Sequence, residues 1–364
     1  MNKIAIFPYD EDFSPFLINA DSISDMEIKR VFSVQGWGYI GKSVCAGAVE
    51  KLEVENLFDI QEDNTYDVLA IVESEHILEE SLLYKAVEFV AQKGKNIWIF
   101  KKLTIEQYKK LKDICHKYST VIHDFLNLEK QKPQFGEEEI IYDIGVPVIA
   151  VAGMGEKTNK AKLQVDIYSC LCQDGYKAIW VSSRIEAFMF GGQGFPHFMY
   201  GNAFTEKKKI LLYNHYLKWL EQTEQPDVIL IGIPGGIMPD SKKQVGNFGI
   251  TAFEILNAIV PDYFIMSLYC CELGKKYLDE LRKIMKYKFN AEIDCFYVSD
   301  TEQDAYSLNK ITPVEYVQLE SSVVQRVVEG IEYKDISIYH AKTIEALYRG
   351  MIDKLGEYSD CQVL

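Results

Sequence analysis

Apolar and polar positions in the first third of the chain alternate between the patterns of strands and helices. Strands are predicted by short apolar runs at residues 3–7, 30–34, 66–72 and 96–100. Before the last of these runs, apolar residues recur at helical spacing until Gly94, which predicts the end of a helix. A second helix over residues 104–118 precedes a short apolar run at 120–122. This order predicts an open α/β domain with a largely parallel sheet over residues 1–126.

The same order of elements restarts after a polar stretch. That stretch, which includes Pro133 and Gly136, predicts a linker over residues 127–145. Residues 146–152 predict a buried strand, and a glycine turn and a helix over 159–174 follow it. Further strands are predicted at residues 177–181, 226–233, 263–268 and 293–298, and a final helix at 341–355. Residues 146–364 therefore predict a second doubly wound, Rossmann-like domain, and such sheets bind ligands at the carboxyl ends of their strands.

The composition fits two folded domains. The chain has 364 residues, of which 48% are hydrophobic and 13% are aromatic, and this supplies enough apolar surface for compact cores. Intrinsic disorder is therefore excluded as a description of the whole chain. The 54 acidic side chains outnumber the 39 basic ones, and the formal net charge is -15. This excess of negative charge argues against nucleic acid or an anionic membrane as the main partner.

The amino-terminal segment and the cysteines indicate the expected compartment. Residues 4–7 are a short apolar run before a charged stretch at 10–12, which does not resemble a secretory signal. No apolar run approaches the roughly 20 residues needed to cross a bilayer. The cysteines are scattered without the paired spacing of a metal site, so we expect reduced thiols packed in the cores. The expected location is the cytoplasm.

A first glycine-rich motif lies at residues 36–43 and reads Gly-Trp-Gly-Tyr-Ile-Gly-Lys-Ser. It satisfies both the Walker pattern and the dinucleotide-binding pattern. The helix that should follow is not predicted, because residues 44–49 have little amphipathic periodicity. The alternative is a tight turn in which Trp37 and Tyr39 pack on a neighbour, such as the second domain. An NAD-dependent oxidoreductase would also need an acidic ribose partner, for which Glu73 is the candidate.

A second motif, at residues 153–160, reads Gly-Met-Gly-Glu-Lys-Thr-Asn-Lys and lies between a predicted buried strand and a predicted helix. This context predicts a phosphate-binding loop, with the backbone N–H groups of the turn facing the ligand. The candidate contacts are Gly153, Gly155, Glu156, Lys157, Thr158 and Asn159. Lys157 would reach a β or γ phosphate, and the Thr158 hydroxyl would ligate Mg²⁺. Glu156 stands where the last glycine belongs, so the alternative is a domain that kept the architecture and lost the ligand.

Other candidate residues follow two later strands. Pro234, Gly235 and Gly236 end an apolar strand and would bring bare backbone to a ligand. No carboxylate ends that strand, so the Walker B role is unfilled, and Asp240 is a weak substitute. Arg184 is a candidate for bidentate pairing with a phosphate or carboxylate. His197 is either an acid or base, or a residue of loop packing.

These motifs resemble a family of clostridial peptide maturation system proteins, which are encoded in natural-product gene clusters. The resemblance spans nearly the whole chain and lies in Gly36-Trp37-Gly38, Gly41-Lys42, residues 151–160, Ser183-Arg184 and residues 231–236. It implies a role in the maturation of a ribosomally synthesised, post-translationally modified peptide, often beside a radical SAM enzyme. It implies no particular reaction.

The second domain also resembles phosphate-loop proteins of the dethiobiotin synthetase and nitrogenase iron protein type. It is similar as well to amide ligases whose loop reads Gly-Thr-Asn-Gly-Lys-Thr. Gly153, Lys157 and Thr158 match that motif in position, whereas Glu156 departs from it. The departure leaves open whether the loop supports catalysis.

The sequence therefore supports two functions. The first is an accessory protein that binds ATP or GTP with Mg²⁺, or phosphate, at a degenerate phosphate loop during peptide maturation, with NTPase or ligase-like activity left open. The second is a non-catalytic module that binds a precursor peptide or a modifying enzyme of the same pathway. A homo-oligomer is compatible with both. The oxidoreductase hypothesis ranks last.

Overall fold

The computed structural model describes residues 2–23, 26–47, 50–61, 64–125, 138–310 and 313–361. The chain divides into two compact units. The first comprises Met1–Pro133 and Arg184–Gly194, and the second comprises Gln134–Ser183 and Phe195–Leu364. The predicted linker lies outside the described residues as far as 137, and residues 138–147 contain no helix or strand.

The first unit contains a seven-stranded sheet flanked by helices. The strands are β1 Lys3–Phe7, β2 Glu27–Ser33, β3 Ser43–Ala46, β4 Glu50–Asn56, β5 Val68–Val72, β6 Asn96–Phe100 and β7 Ile122–Asp124. The helices are α1 Ser14–Ile18, α2 Ala20–Ile23, α3 Glu80–Ala91 and α4 Ile105–Lys117, with 3-10 turns at Glu11–Phe13, Leu57–Asp59 and Ile185–Phe190. The strand order is β3-β4-β2-β1-β5-β6-β7, and the β3–β4 pair is antiparallel.

Local sequence explains the helices and the core of this unit. Helix α4 begins with a capping box, in which Thr104 Oγ1 accepts from Gln107 N and Gln107 Oε1 accepts from Thr104 N. Leu69, Val87 and Ile99 are fully buried in its core. The antiparallel strands β3 and β4 were not predicted, although the apolar positions of β4 alternate with charged ones.

The second unit is larger and also doubly wound. Its strands are β8 Val148–Gly153, β9 Ala178–Ser182, β11 Val228–Gly232, β12 Tyr263–Leu268, β13 Cys295–Val298, β14 Thr301–Gln303, β15 Tyr316–Gln318 and β16 Ser337–Tyr339. The two-residue strand β10 Gln193–Gly194 lies in the segment that belongs to the first unit. Its helices are α5 Lys160–Gln173, α6 Glu206–Glu224, α7 Ile250–Ala258, α8 Lys275–Phe289, α9 Ser321–Glu329 and α10 Ile344–Cys361. Short 3-10 turns lie at His197–Met199, Ser307–Asn309 and Ala341–Thr343.

The parallel sheet of the second unit has the order β9-β11-β8-β12-β13-β16. The chain leaves β8 toward β9 on one side and later returns to β12 on the other, so the topological switch point lies at the carboxyl end of β8. Every residue of β8 is buried. The two sheets confirm the predicted α/β class. In the described residues no helix combines the length and apolar character needed to cross a membrane.

Helix α5 is fixed against the sheet by a buried polar contact. Trp180 Nε1 donates to Gln164 Oε1 at 3.0 Å, which satisfies an indole N–H that burial would otherwise leave unpaired. Gly232 provides the space, because a Cβ atom added there would lie 2.1 Å from Gln164 Oε1. The contact holds the start of α5 above the carboxyl edge of the sheet.

Candidate functional site

The glycine motif at residues 36–43 forms a turn in the first unit. It connects β2 to β3, so a strand follows it instead of the helix that a phosphate-binding loop requires. Trp37 and Tyr39 pack beside His76, with ring centroids 4.8 and 6.0 Å apart, and His76 belongs to the same unit. Glu73 is held by Lys101 Nζ at 2.9 Å and by Lys102 N at 2.7 Å. The tight-turn interpretation fits this geometry.

The motif at residues 153–160 lies at the switch point of the second unit, between β8 and α5. The helix begins at Lys160, and Asn159 before it has a left-handed backbone with φ 56°. Phosphate loops place a glycine directly before the lysine that opens the helix, because that position needs left-handed backbone. Asn159 and Lys160 take these two places. The letters of the motif instead predict Lys157 as the lysine that contacts phosphate. Lys157 is exposed, and its Nζ lies 5.4 Å from the Tyr316 ring centroid.

Side-chain donors form hydrogen bonds with the backbone carbonyl groups of this loop. Gly155 O accepts from Lys160 Nζ at 2.7 Å and from Thr158 Oγ1 at 3.4 Å. Tyr269 OH donates to Glu156 O at 2.5 Å, and Ser267 Oγ donates to Thr158 O. Ser267 lies in β12 and Tyr269 directly follows this strand, which adjoins β8.

The left-handed Asn159 is clamped by the segment after β13. Its Nδ2 donates to Asp300 Oδ1, and its Oδ1 accepts from Thr301 Oγ1 at 3.4 Å. Asparagine tolerates left-handed backbone better than most residues do, and these two bonds stabilise that conformation. The loop is therefore preorganised.

Several backbone N–H groups of the loop, unlike its carbonyl groups, have no hydrogen-bond partner among the described residues. Within the described part of the chain, the N–H groups of Gly155, Glu156, Asn159 and Lys160 donate to no protein group. Successive free N–H groups around left-handed residues form an anion-binding concavity, and a helix N-terminus adds a favourable dipole. The geometry therefore suits an anion such as phosphate.

Lys160 is the cation of the site. Burial lowers the pKa of its ammonium group to about 8, although Glu156 and Asp240 oppose that shift. Asp240 accepts from Gln303 Nε2 at 2.7 Å. Asp240 also reaches the loop, because a Cβ atom on Gly155 would lie 2.6 Å from its Oδ1. The substitute acid named from the sequence thus lies beside the phosphate loop, next to Lys160.

The segment Pro234-Gly235-Gly236 forms one wall of the loop. A Cβ atom added to Gly236 would lie 2.7 Å from Gly155 Cα and 2.8 Å from Met154 O. Ile237 N donates to Gly153 O at 3.1 Å, and Gly235 has a left-handed φ of 76°. Bare backbone at Gly236 is therefore what lets the two segments touch.

Gly236→Ala should destabilise the second unit by about 2 kcal/mol, because the new methyl group meets backbone atoms that cannot rotate away. Thermal or denaturant unfolding measures this. The control is Gly356→Ala, where an added Cβ meets nothing within 4 Å and alanine favours the helix. Equal stability of the two variants would contradict the tight contact.

Thr158, which the sequence predicts as a ligand of Mg²⁺, and the residues around it do not form a donor set for the ion. Thr158 is fully buried and donates to Gly155 O, and Ala161 rather than a hydroxyl residue follows Lys160. Strand β11 runs into Ile233 and Pro234 without a carboxylate. In the described residues no three His, Cys, Asp or Glu side chains form a metal-binding group. Phosphate loops hold Mg²⁺ through a hydroxyl after the lysine and a carboxylate at the end of a neighbouring strand, and these residues supply neither, so they do not fit the ion.

Arg184 belongs to the first unit and not to the unit that contains the loop. Its guanidinium group pairs with Asp12 and, at 3.0 Å, with Glu186, which is fully buried. Burial alone would lower the pKa of Arg184, but Glu186 and Asp12 outweigh it and raise the pKa above its usual value. His197 is exposed and lies beside Tyr200 at 6.4 Å. The guanidinium group of Arg184 is therefore already paired with two carboxylates of its own unit.

Sequence reasoning missed the residues that brace the loop. Ser267, Tyr269, Asp300 and Thr301 all lie at the carboxyl ends of β12 and β13. The predicted strands at 263–268 and 293–298 place these residues at that edge, which is the signal that was present. Only the strand order shows that β12 adjoins β8 and that β13 lies next to β12.

Comparisons with known proteins identify the fold. No family model matches the chain, and no curated protein matches it. Among solved structures, it is similar to a DUF1611 family protein from Anabaena variabilis, with 9% sequence identity and a TM-score of 0.62. The match covers 98% of this chain and 100% of the other. The two proteins therefore share an architecture over their whole lengths.

Proposed function

We propose that the second unit binds the phosphate group of a nucleotide, ATP or GTP, or phosphate itself, at residues 153–160. One observation carries the proposal: side chains occupy the carbonyls of the loop while the N–H groups of Gly155, Glu156, Asn159 and Lys160 stay open within the described residues. A loop with only a structural role would gain nothing from this asymmetry. An anion bound in the loop would accept hydrogen bonds from these open N–H groups.

We propose further that this binding serves the maturation of a ribosomally made peptide. The support is the resemblance of the sequence to the clostridial maturation family, with the precursor peptide or a modifying enzyme as partner. The nucleotide would regulate or drive an encounter with that partner. The alternative is a peptide-binding module with a relic loop, which the replacement of the glycine before Lys160 by Asn159 favours.

Isothermal titration of the full chain with ATP and with GTP tests the binding. We expect saturable heat from wild type and none from Lys160→Ala. Absence of heat from wild type at millimolar nucleotide would overturn the proposal. A pull-down with the precursor peptide then separates the two functions, because the relic-loop module keeps its peptide in Lys160→Ala and loses it when residues 188–200 are changed.

Nucleotide affinity should fall as the pH rises above about 8. The protonated ammonium of Lys160 attracts phosphate, and its pKa of about 8 in the free protein means that the proton is lost above that value. Below pH 8 the affinity should be flat, and above it the loss approaches about tenfold per pH unit until the pKa of the complex is reached. Titrations of wild type between about pH 7.5 and about pH 9.5 measure this.

Lys160→Arg is the matched control for the pH series. Arginine stays protonated throughout this range, so the affinity of the variant should change little with pH. A parallel fall in both proteins would show that another group controls the binding.

A further inference from the structure

The electrostatics of the loop mouth differ from those of a magnesium-dependent phosphate site. Lys160 faces two carboxylates, Glu156 and Asp240, both of which favour its charged form. The position for a magnesium-binding hydroxyl after the lysine is Ala161, and Thr158 is fully buried. Lys160 would also repel a second cation held between the same carboxylates.

Asp240 has a structural partner of its own. Its Oδ1 accepts from Gln303 Nε2 at 2.7 Å, and Gln303 belongs to the antiparallel pair β14–β15. This bond fixes the carboxylate beside Gly155, where Tyr269 OH is also close. Asp240 is therefore a fixed negative charge at the edge of the anion site, and it does not lie at the end of β11, from which phosphate loops supply the carboxylate for Mg²⁺.

We infer that nucleotides bind this loop as the metal-free species, with the phosphate charge met by Lys160 and backbone N–H groups, and that Asp240 weakens rather than supports the binding. The inference rests on the proposed function. It also assigns the chain a binding role without hydrolysis, because phosphoryl transfer at phosphate loops depends on a metal ion that bridges the phosphates. Asp240 would then limit how much negative charge the site accepts.

The test compares the ATP affinity of the full chain in excess Mg²⁺ and in EDTA, by isothermal titration. We expect the affinity in EDTA to equal or exceed that in Mg²⁺. A loss of tenfold or more in EDTA would overturn the inference while leaving the proposed function intact. No binding under either condition would overturn the proposed function, and the inference with it.

Asp240→Asn gives a second and independent test. The asparagine keeps the Oδ1 acceptor for Gln303 and removes one negative charge, so ATP should bind about tenfold tighter in EDTA. Weaker binding by this variant would overturn the inference, because it would give the carboxylate a supporting role. The control is Glu280→Gln, which removes an exposed carboxylate on α8 and should leave the affinity unchanged.

Discussion

Lys160→Ala should lower nucleotide affinity by up to about 100-fold, whereas Lys157→Ala should change it by about threefold or less. The difference follows from where the two side chains lie. Lys160 opens helix α5 and is folded over the loop onto Gly155 O, while Lys157 is exposed beside Tyr316. A charge-assisted hydrogen bond at a shielded site contributes up to about 3 kcal/mol, which corresponds to about 100-fold in affinity. Isothermal titration of both variants measures the contrast.

The control for this pair is thermal unfolding. Lys160→Ala should unfold at the same temperature as wild type or slightly higher, because a partly buried ammonium with a lowered pKa destabilises the fold at neutral pH. The sign follows from the shift: the folded pKa lies below the unfolded one, so the cost is present at neutral pH and fades as the pH rises through about 8. A large loss of affinity in Lys157→Ala with none in Lys160→Ala would show that Lys157, as the letters of the motif predict, is the lysine that contacts phosphate.

Arg184→Leu should destabilise the first unit by about 3–5 kcal/mol. Glu186 is fully buried, and Arg184 donates to it from both Nε and Nη2 at 3.0 Å. Leucine leaves this carboxylate without its cation in a site that excludes water, and removing one partner of a buried pair has costs of that size. Denaturant unfolding of the full chain should show an early transition of the first unit.

The double variant Arg184→Leu/Glu186→Leu separates charge from packing. Because both charges are then gone, most of the lost stability should return. If the single and double variants are equally unstable, packing against Phe16, whose ring centroid lies 5.4 Å from the guanidinium carbon, explains the effect instead of the ion pair.

The architecture around the loop could be predicted from the sequence because its signals are local. Residues 148–152 are continuously apolar, and the helix after them shows its own periodicity, so a strand, a turn and a helix follow directly. The tight turn at 36–43 was foreseen as an alternative for the same reason. The unpredicted strand β3 has only four residues and is largely exposed, and in β4 charged residues alternate with the apolar ones.

The position of Lys160 at the start of helix α5 could not be predicted, because it depends on contacts between distant residues. Whether Lys157 or Lys160 opens the helix depends on Asn159 adopting left-handed backbone. Its partner Asp300 lies 141 residues further along the chain. Likewise, Arg184 joins the first unit through Asp12, 172 residues earlier. Glycine marks left-handed positions in a sequence, whereas an asparagine held there by tertiary hydrogen bonds does not.

A crystal structure of the full chain soaked with nucleotide tests the central claim most directly. The account predicts phosphate density in the loop, about 2.7–3.2 Å from the N–H groups of Gly155, Glu156, Asn159 and Lys160. It also predicts that Lys160 Nζ leaves Gly155 O to contact the phosphate. Nucleotide density elsewhere on the protein, with the Lys160–Gly155 bond unchanged and the loop N–H groups without an anion, would contradict it.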